Sequence, residues 1–598
     1  MSPALSVLAV LAVLASPTSA GAAPLLQPSP ALEAKAASYA VQEDLFSTRE
    51  NGMFLDPIIK PADVPVVKAF FAQTAEPDFT KQTGRAPFDV VAEFDEYGDE
   101  GNFSGVASVG LAARLLVLRQ NGAPTAEVTR ARDAAVRAAR AWHVYGAIGG
   151  VGIVARGVRR IKAEKAGEVL PGVAPVPVPQ ADGSGPLPVK KEAVWRAPVL
   201  PGFTDWIWFD DTSKDQVSGY ALAVVWLWDA LHDDPAVPAG VTDALARDLA
   251  SFARSLMTVA PETGVDLCVR DADGRLTNVF DINPRNLGPG PALPEESTLR
   301  NGFNAAMALG IIRAAYHVSG DPDIGRYYYE DLVGARDLPS QMATNAGLLF
   351  IGAPTNFSNA NMLAISLATL GRIETDPYVR GKLDATLNRQ FWSTGDGRDA
   401  SHAKQAWFDA VYGSYAAAPV AGLDVRIAEA LLGMQGAPAF ERDRVNCDDT
   451  EIAAGVCLAI DGTTTLTLAK EKGHGGLLVA DAVVPWSVRP DSDFEWRSDP
   501  FGVNGTASTL LDPGGDFLAA YWLARLSDTS TSKNVSPFAR AALPWARPDA
   551  GGPGEAPAPT SGCGCDTATP GAPNTAWLLG LLALMGLRRR ARSWHGPS

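Results

Sequence analysis

Between Trp206 and Gln216 the chain reads Trp206-Ile-Trp208-Phe-Asp210-Asp211-Thr-Ser-Lys214-Asp215-Gln216. Three carboxylates and an ammonium within six residues are materials for proton transfer, because one carboxyl kept neutral acts as an acid while an ionised neighbour acts as a base. Two indoles just before them offer stacking surface for sugar rings, and paired carboxylates are what glycosidic cleavage uses. Asp211 and Asp215 are the expected acid–base residues, with Trp206, Trp208 and Asp210 in substrate binding. The plainer reading is that Ser213 or Asp215 caps the following helix and the tryptophans are core.

A second group is His402, with Lys404 and Gln405, at the start of a segment containing Trp407 and Tyr412. Cleaving a uronic-acid glycan by elimination needs an Asn or Arg to neutralise the carboxylate and a His or Tyr to move the proton. Asn301, Asn304, Asn359, Asn361, His402 and Tyr412 supply those types. Of these, His402 is expected in catalysis and Asn361 and Tyr412 in substrate contact, although Asn at a helix start is also an ordinary cap. His143 and Tyr145 precede the glycine-rich stretch from Gly146 to Gly157, which holds Arg156 but no phosphate-loop spacing, so it reads as a helix-ending turn. Asp271-Ala-Asp273-Gly274 begins like a calcium loop but lacks the downstream Glu, and Asp-Gly is a hairpin signal. Six scattered histidines show no zinc-ligand spacing. Neither metal nor cofactor is expected.

The elements that must hold these residues are helical. Apolar residues recur at helical spacing between Gly, Pro and Asp turns. Helices are expected over Ala31–Thr48, Phe103–Gln120, Glu127–Tyr145, Val217–His232, Thr242–Leu256, Leu299–Ser319, Asp323–Val333, Asn359–Ile373, Pro377–Phe391, His402–Tyr415, Arg426–Met434 and Gly515–Leu526. Tyr220 to Trp228 is apolar all round, which demands burial on every face, whereas Thr242–Leu256 and Pro377–Phe391 are amphipathic. Two concentric layers of helices would produce that alternation. Two stretches lack helical period. Gly167 to Pro201 reads as a long Pro/Val-rich surface loop, and Cys447 to Pro490, with Thr463 to Leu468 and Gly475 to Val479, as a small strand insertion.

Two segments repeat one plan: Asn301-Gly-Phe-Asn304 through Asp321, and Asn356-Phe-Ser-Asn-Ala-Asn361 through Asp376. In each, an Asn-rich entry precedes an apolar helix, an Asp/Pro turn and an outer helix. These segments resemble the α/α toroid of many exported carbohydrate-active enzymes, and the likeness runs loosely from Ala31 to Leu526. The resemblance implies an all-α fold, an α/α toroid of helical hairpins with a small β-containing insertion near its C-terminal end. It also implies that loops before inner helices, Trp206 to Gln216 among them, line a central funnel. That loop resembles those of uncharacterised exported toroid proteins, which carry no catalytic assignment to transfer. Toroids also host terpenoid cyclases, but the chain has no Asp-rich magnesium motif of that kind.

The two ends speak of export. Met1-Ser-Pro-Ala, an apolar run from Leu5 to Ala15 and small residues to Ala23 read as a secretory signal peptide, though without the usual leading Lys or Arg. At the other end a Pro/Gly/Ala linker leads to Ser561-Gly-Cys563-Gly-Cys565, a short apolar run from Ala576 to Leu587, and Arg588-Arg589-Arg590 with Arg592. This order resembles the C-terminal sorting tail of myxobacterial surface proteins. The resemblance implies cleavage by a sorting peptidase and a mature membrane anchor carried by Cys563 or Cys565. An oxidising compartment permits disulfides, and Cys447 and Cys457 are the expected pair, leaving Cys268 as a buried small hydrophobe. The net charge of −16 argues against nucleic acid as a partner.

The expected organisation is a signal peptide (1–23), a toroid body (24–446), a β-rich insertion (447–490), the end of the body (491–546), a linker with the Cys motif (547–574) and a sorting tail (575–598). The expected function is that of a surface-anchored glycoside hydrolase or polysaccharide lyase acting on an extracellular glycan, the alternative being a non-catalytic adhesion protein.

Overall fold

The computed structural model describes residues 23–73, 78–95, 97–161, 171–173, 194–285, 301–442, 447–490, 499–503 and 508–526. Residues 1–22 of the expected signal peptide, most of the 167–201 loop, the linker, Cys563, Cys565 and the tail lie outside them. All described residues belong to one of the two units into which the chain divides, residues 1–545.

Helices dominate this unit, with a few small sheets between them. Twelve helices form its framework: α1 (Pro30–Gln42), α2 (Glu100–Gln120), α3 (Thr125–Ala147), α4 (Lys214–Leu231), α5 (Val241–Leu256), α6 (Gly302–Ser319), α7 (Pro322–Arg326), α8 (Phe357–Ile373), α9 (Pro377–Thr386), α10 (Ala406–Tyr415), α11 (Leu423–Gly433) and α12 (Gly515–Arg525). Helices α1, α7 and α9 run on into wider π-type turns, Glu43–Ser47, Tyr327–Ala335 and Leu387–Trp392. Eleven of the twelve helices expected from periodicity are present, and the twelfth is divided.

Their boundaries follow local chemistry. Asn301 and Asn356 cap α6 and α8, accepting from the amides of Asn304 (3.1 Å) and Ser358 (3.0 Å). Asp321 and Asp376 cap α7 and α9, each with proline at the first helical position, where the missing amide costs nothing. The helix expected over His402–Tyr415 is two pieces, Ala400–Ala403 and α10, because Lys404 adopts a left-handed backbone (φ 48°) that ends the first ladder.

The even-numbered helices carry the burial. Tyr220 to Leu227 of α4 are at most 1% exposed around the whole circumference, as an all-apolar helix requires. Helix α2 packs on α4 and α12, α4 on α6, α6 on α8, α8 on α10, and α10 on α12. The odd-numbered helices lie against them: α3 on α2, α4 and α5; α5 on α6; α11 on α10, α12 and α1.

Strands occur well outside 447–490, which corrects the expectation that they would be confined there. Among the described residues, four small antiparallel sheets pair β1 (Asp56–Ile59) with β2 (Val91–Asp95), β3 (Gly157–Arg160) and β4 (Trp195–Arg196) with β5 (Trp206–Phe209), β6 (Cys268–Arg270) with β7 (Leu276–Asp281), and β8 (Val456–Leu458) with β9 (Thr465–Thr467). The run Trp206 to Phe209, read above as loop, is a strand because aromatic and β-branched residues suit a pleated, half-buried surface. Gly475 to Val479, expected as strand, forms instead a tight turn at His474–Gly476, with Val479 in a single bridge to Gly502. Cys447 and Cys457 are disulfide-bonded, Cα atoms 5.3 Å apart, in a small apolar cluster with Leu466, Val484 and Val488. Cys268 is free and buried, and burial pushes its thiol above the ordinary range.

Candidate functional site

Strand β5 delivers the chain into the turn Asp210–Ser213, and α4 starts at Lys214. The carboxylates of this stretch have different surroundings. Asp210 is paired with the fully buried Arg196, whose Nε lies at 3.0 Å and Nη2 at 2.9 Å. Arg196 also reaches Asp273 at 2.6 Å, and Arg275 pairs with Asp271 and Asp273. The would-be calcium loop is therefore a hairpin turn between β6 and β7, with Gly274 at φ 79°, and two guanidiniums supply the positive charge its carboxylates and Asp210 need.

Asp211 is 1% exposed and has a left-handed backbone, φ 70°, uncommon outside glycine. Its two oxygens accept from Asn278 of β7, one from the backbone amide (3.0 Å) and one from the side-chain amide (2.7 Å). That geometry ties the β5–α4 turn to β7 and leaves Asp211 as a clamp.

Asp215 differs. Its carboxyl is buried in the first turn of α4 and is pushed above the usual range, first by desolvation and then by Asp99, while Ser213 and Arg156 pull it down. Gln216 donates to it at 2.9 Å and to Asp99 at 3.3 Å. Beside it Lys214 is lowered by burial, with Asp281 and Asp215 pulling back. The Lys214 ammonium lies 3.3 Å from Asn304 Oδ1 and 3.8 Å from Asp281, over the Phe303 ring. Asn304 in turn donates to the carbonyls of Asp281 and Asn283, both at 3.1 Å.

The start of α2 completes the cluster. The Asn102 amide donates to Gln216 (3.0 Å), and Asn361 of α8 donates through Nδ2 to Asn102 Oδ1 (3.1 Å). Asn361 Oδ1 is buried with no hydrogen-bond partner among the described residues. Glu100, at the first position of α2, is pushed up to about 8 by burial, against hydrogen bonds from the Val158 amide and Asn51. The N-terminal parts of α2, α4, α6 and α8 thus meet in a buried polar network in which the Asp215 carboxyl and the Lys214 ammonium are both shifted toward the neutral form, while the raised Glu100 carboxyl is bonded separately to Asn51 and Val158. Such a set can give and accept protons and hydrogen-bond hydroxyls.

Other expected residues lie elsewhere. Trp208 is fully buried and donates to the Ala197 carbonyl at 3.0 Å, a core role. Trp206 is half-buried and lines a cavity described below. The His402 side chain, 56% exposed, bonds Asp399 (2.8 Å) and Ser401 (3.1 Å). Tyr412 donates to Asn388 (2.9 Å) and stacks on Trp392, ring centroids 4.2 Å apart. Asn301 is a cap. His143 bonds Asp248 at 2.6 Å, and the stretch after it turns at Gly150 and Gly152, both of positive φ.

Sequence reasoning passed over Asp99, Glu100, Asn102 and Asp281. The signal was there in part: Asp99-Glu-Gly-Asn102 ahead of an apolar helix follows the same plan as Asn301-Gly-Phe-Asn304. The chain matches no family model, no curated protein and no solved structure.

Proposed function

We propose that this is an exported, surface-anchored α/α toroid protein that cleaves an extracellular glycan, with Asp215 as the proton donor. The toroid reading is supported by the order of helix neighbours, α2–α4–α6–α8–α10–α12, in which α12 also packs on α2. Parallel inner helices would gather their first turns at one end, in keeping with the shared network of α2, α4, α6 and α8.

The observation that carries the catalytic reading is the Asp215 carboxyl, buried and raised, beside Lys214 and the Asn102–Asn361 pair. In hydrolysis Asp215 protonates the leaving oxygen as its bond to the anomeric carbon breaks. Water adds its hydroxyl to that carbon, and the proton it gives up restores the carboxyl. In a lyase Lys214 and Asn361 would hold the uronate carboxylate. Asp211, committed to Asn278, and Asp210, committed to Arg196, serve as supports. The separate placement of His402 and Tyr412 favours the second reading, a non-catalytic adhesion protein.

The test is to incubate the wild type and Asp215→Asn with uronic-acid and neutral polysaccharides, following reducing ends and the unsaturated lyase product. The expected result is release by the wild type and a loss of about 100-fold or more in the variant. A lyase gives both signals and a hydrolase only the first. No release by the wild type, or equal release by a folded variant, leaves Asp215 a structural member of the buried network. Surface anchoring is tested by Cys563→Ser with Cys565→Ser, expected to release the protein or leave it unprocessed; unchanged retention and mature mass would refute it.

A further inference from the structure

A cavity of about 550 Å³ lies between the turn after α1, the outer helix α3 and the β3–β5 edge. Its volume falls in the range of roughly 300 to 1,000 Å³ typical of small-ligand sites. Four arginines line it, Arg49, Arg137, Arg140 and Arg160, against three carboxylates, Asp44, Glu50 and Asp205. That local excess of positive charge stands out in a chain whose net charge is −16.

Two arginines are already engaged. Arg137 pairs with Asp44 at 3.0 Å, and the Arg49 guanidinium lies 5.6 Å from the centre of the Phe88 ring. Arg140, exposed on α3, and Arg160, half-buried on β3, have no ion pair among the described residues. Arg160 sits directly across from Trp206 in the sheet, with its guanidinium 6.0 Å from the indole centroid. Ala141 and Val144 of α3 add an apolar wall. The wall is fixed closely: Gly52 has φ 89°, and a Cβ there would stand 3.2 Å from Ala141 Cβ and 3.3 Å from the Arg137 carbonyl oxygen.

Arginine forks recognise carboxylates in a planar, paired fashion, and an indole offers a flat apolar face to a sugar ring. We infer that this cavity is a binding subsite for a carboxylated sugar, a uronic-acid residue of a glycan, with its ring against Trp206 and its carboxylate on Arg160 and Arg140. The inference rests on the glycan reading above and adds the class of glycan. It does not depend on Asp215.

Binding is measured by calorimetry on the full chain, using an oligogalacturonate, its carboxyl-reduced neutral counterpart, and inorganic sulfate. The expected result is binding of the oligogalacturonate that weakens with salt, with the reduced oligomer and Arg160→Gln each about 10- to 100-fold weaker, the worth of a charge-assisted hydrogen bond. Arg140→Gln, at an exposed position, is expected to weaken it in the same direction, and Arg160→Lys to recover part of the loss. Equal affinity for the reduced oligomer, no effect of Arg160→Gln, or sulfate binding as tightly as the oligomer would overturn the inference. Binding without cleavage removes the catalytic reading alone, and cleavage of neutral glycans without acidic binding removes this inference alone.

Discussion

Gly105 of α2 and Gly219 of α4 meet backbone to backbone. A Cβ on Gly105 would stand 2.5 Å from Gly219 Cα, and one on Gly219 would stand 2.2 Å from the Gly101 carbonyl oxygen. Neither obstacle is a side chain that can swing away. Gly105→Ala and Gly219→Ala are therefore each expected to cost about 1 to 3 kcal/mol or more through overpacking, read as a lower urea midpoint. An unchanged midpoint would mean the helices can part freely there. Because Asn102 and Gln216 lie one turn away, the same variants should also disturb the polar network.

Asp229, His317 and Arg372 join α4, α6 and α8 at nearly complete burial, with Asp229 to His317 at 2.8 Å and to Arg372 at 2.9 Å. Burial pushes the Asp229 carboxyl up, but His317 and Arg372 together outweigh it and hold it below its ordinary value. A carboxyl lowered in the folded state contributes stability that is complete above its unfolded value, about 3.9, and that drains away as pH falls through the folded one. Asp229→Asn should cost about 3 to 5 kcal/mol at neutral pH, since it strands the buried Arg372 guanidinium and takes the carboxylate partner from His317. Denaturation of both proteins across pH should show the gap closing below about pH 4. A gap that persists in strong acid would contradict the pairing.

Asn361→Ala removes the donor to Asn102 Oδ1, an acceptor inside the network. The expected cost is about 1 to 3 kcal/mol, the penalty of a buried acceptor left without a partner. Thermal unfolding measures it, and a neutral outcome would mean that another donor moves in.

The Cys447–Cys457 bond closes a short loop, and its removal is expected to cost about 2 to 3 kcal/mol. Labelling the unreduced protein before and after denaturation should leave both of these thiols unlabelled and expose Cys268 only on unfolding. Labelling of Cys447 or Cys457 without reductant would refute the bond.

Helices were legible because their signal is local: an apolar stripe, an Asp-Pro or Asn cap and a glycine stop all fall within a few residues. The break at Lys404 escaped because a lysine in left-handed backbone carries no local mark. Strand β5 was misread because its partners come from elsewhere in the chain, Gly157–Arg160 and Trp195–Arg196. The surroundings that distinguish the site residues were hidden for the same reason. Asp210, Asp211 and Asp215 look equivalent in a row of letters, and what separates them is Arg196 arriving from β4 and Asn278 from β7. The Asn-rich entries were visible, whereas the bond between Asn102 and Asn361 spans 259 positions.

The first helix and the residues just before it are completed by segments far along the chain. Leu26 donates to the Ala524 carbonyl at 2.8 Å, Lys35 to the Leu431 carbonyl at 2.7 Å, Tyr39 to that of Gln435 at 2.6 Å, and Gln42 to that of Asp512 at 2.5 Å. A chain emerging N-terminus first must therefore leave α1 without these partners until the segments from Leu431 to Ala524 have been synthesised. Contacts so distant in sequence form late, because closing the intervening chain costs entropy before any contact compensates it. The nascent polypeptide consequently carries its first helix undocked for most of its synthesis.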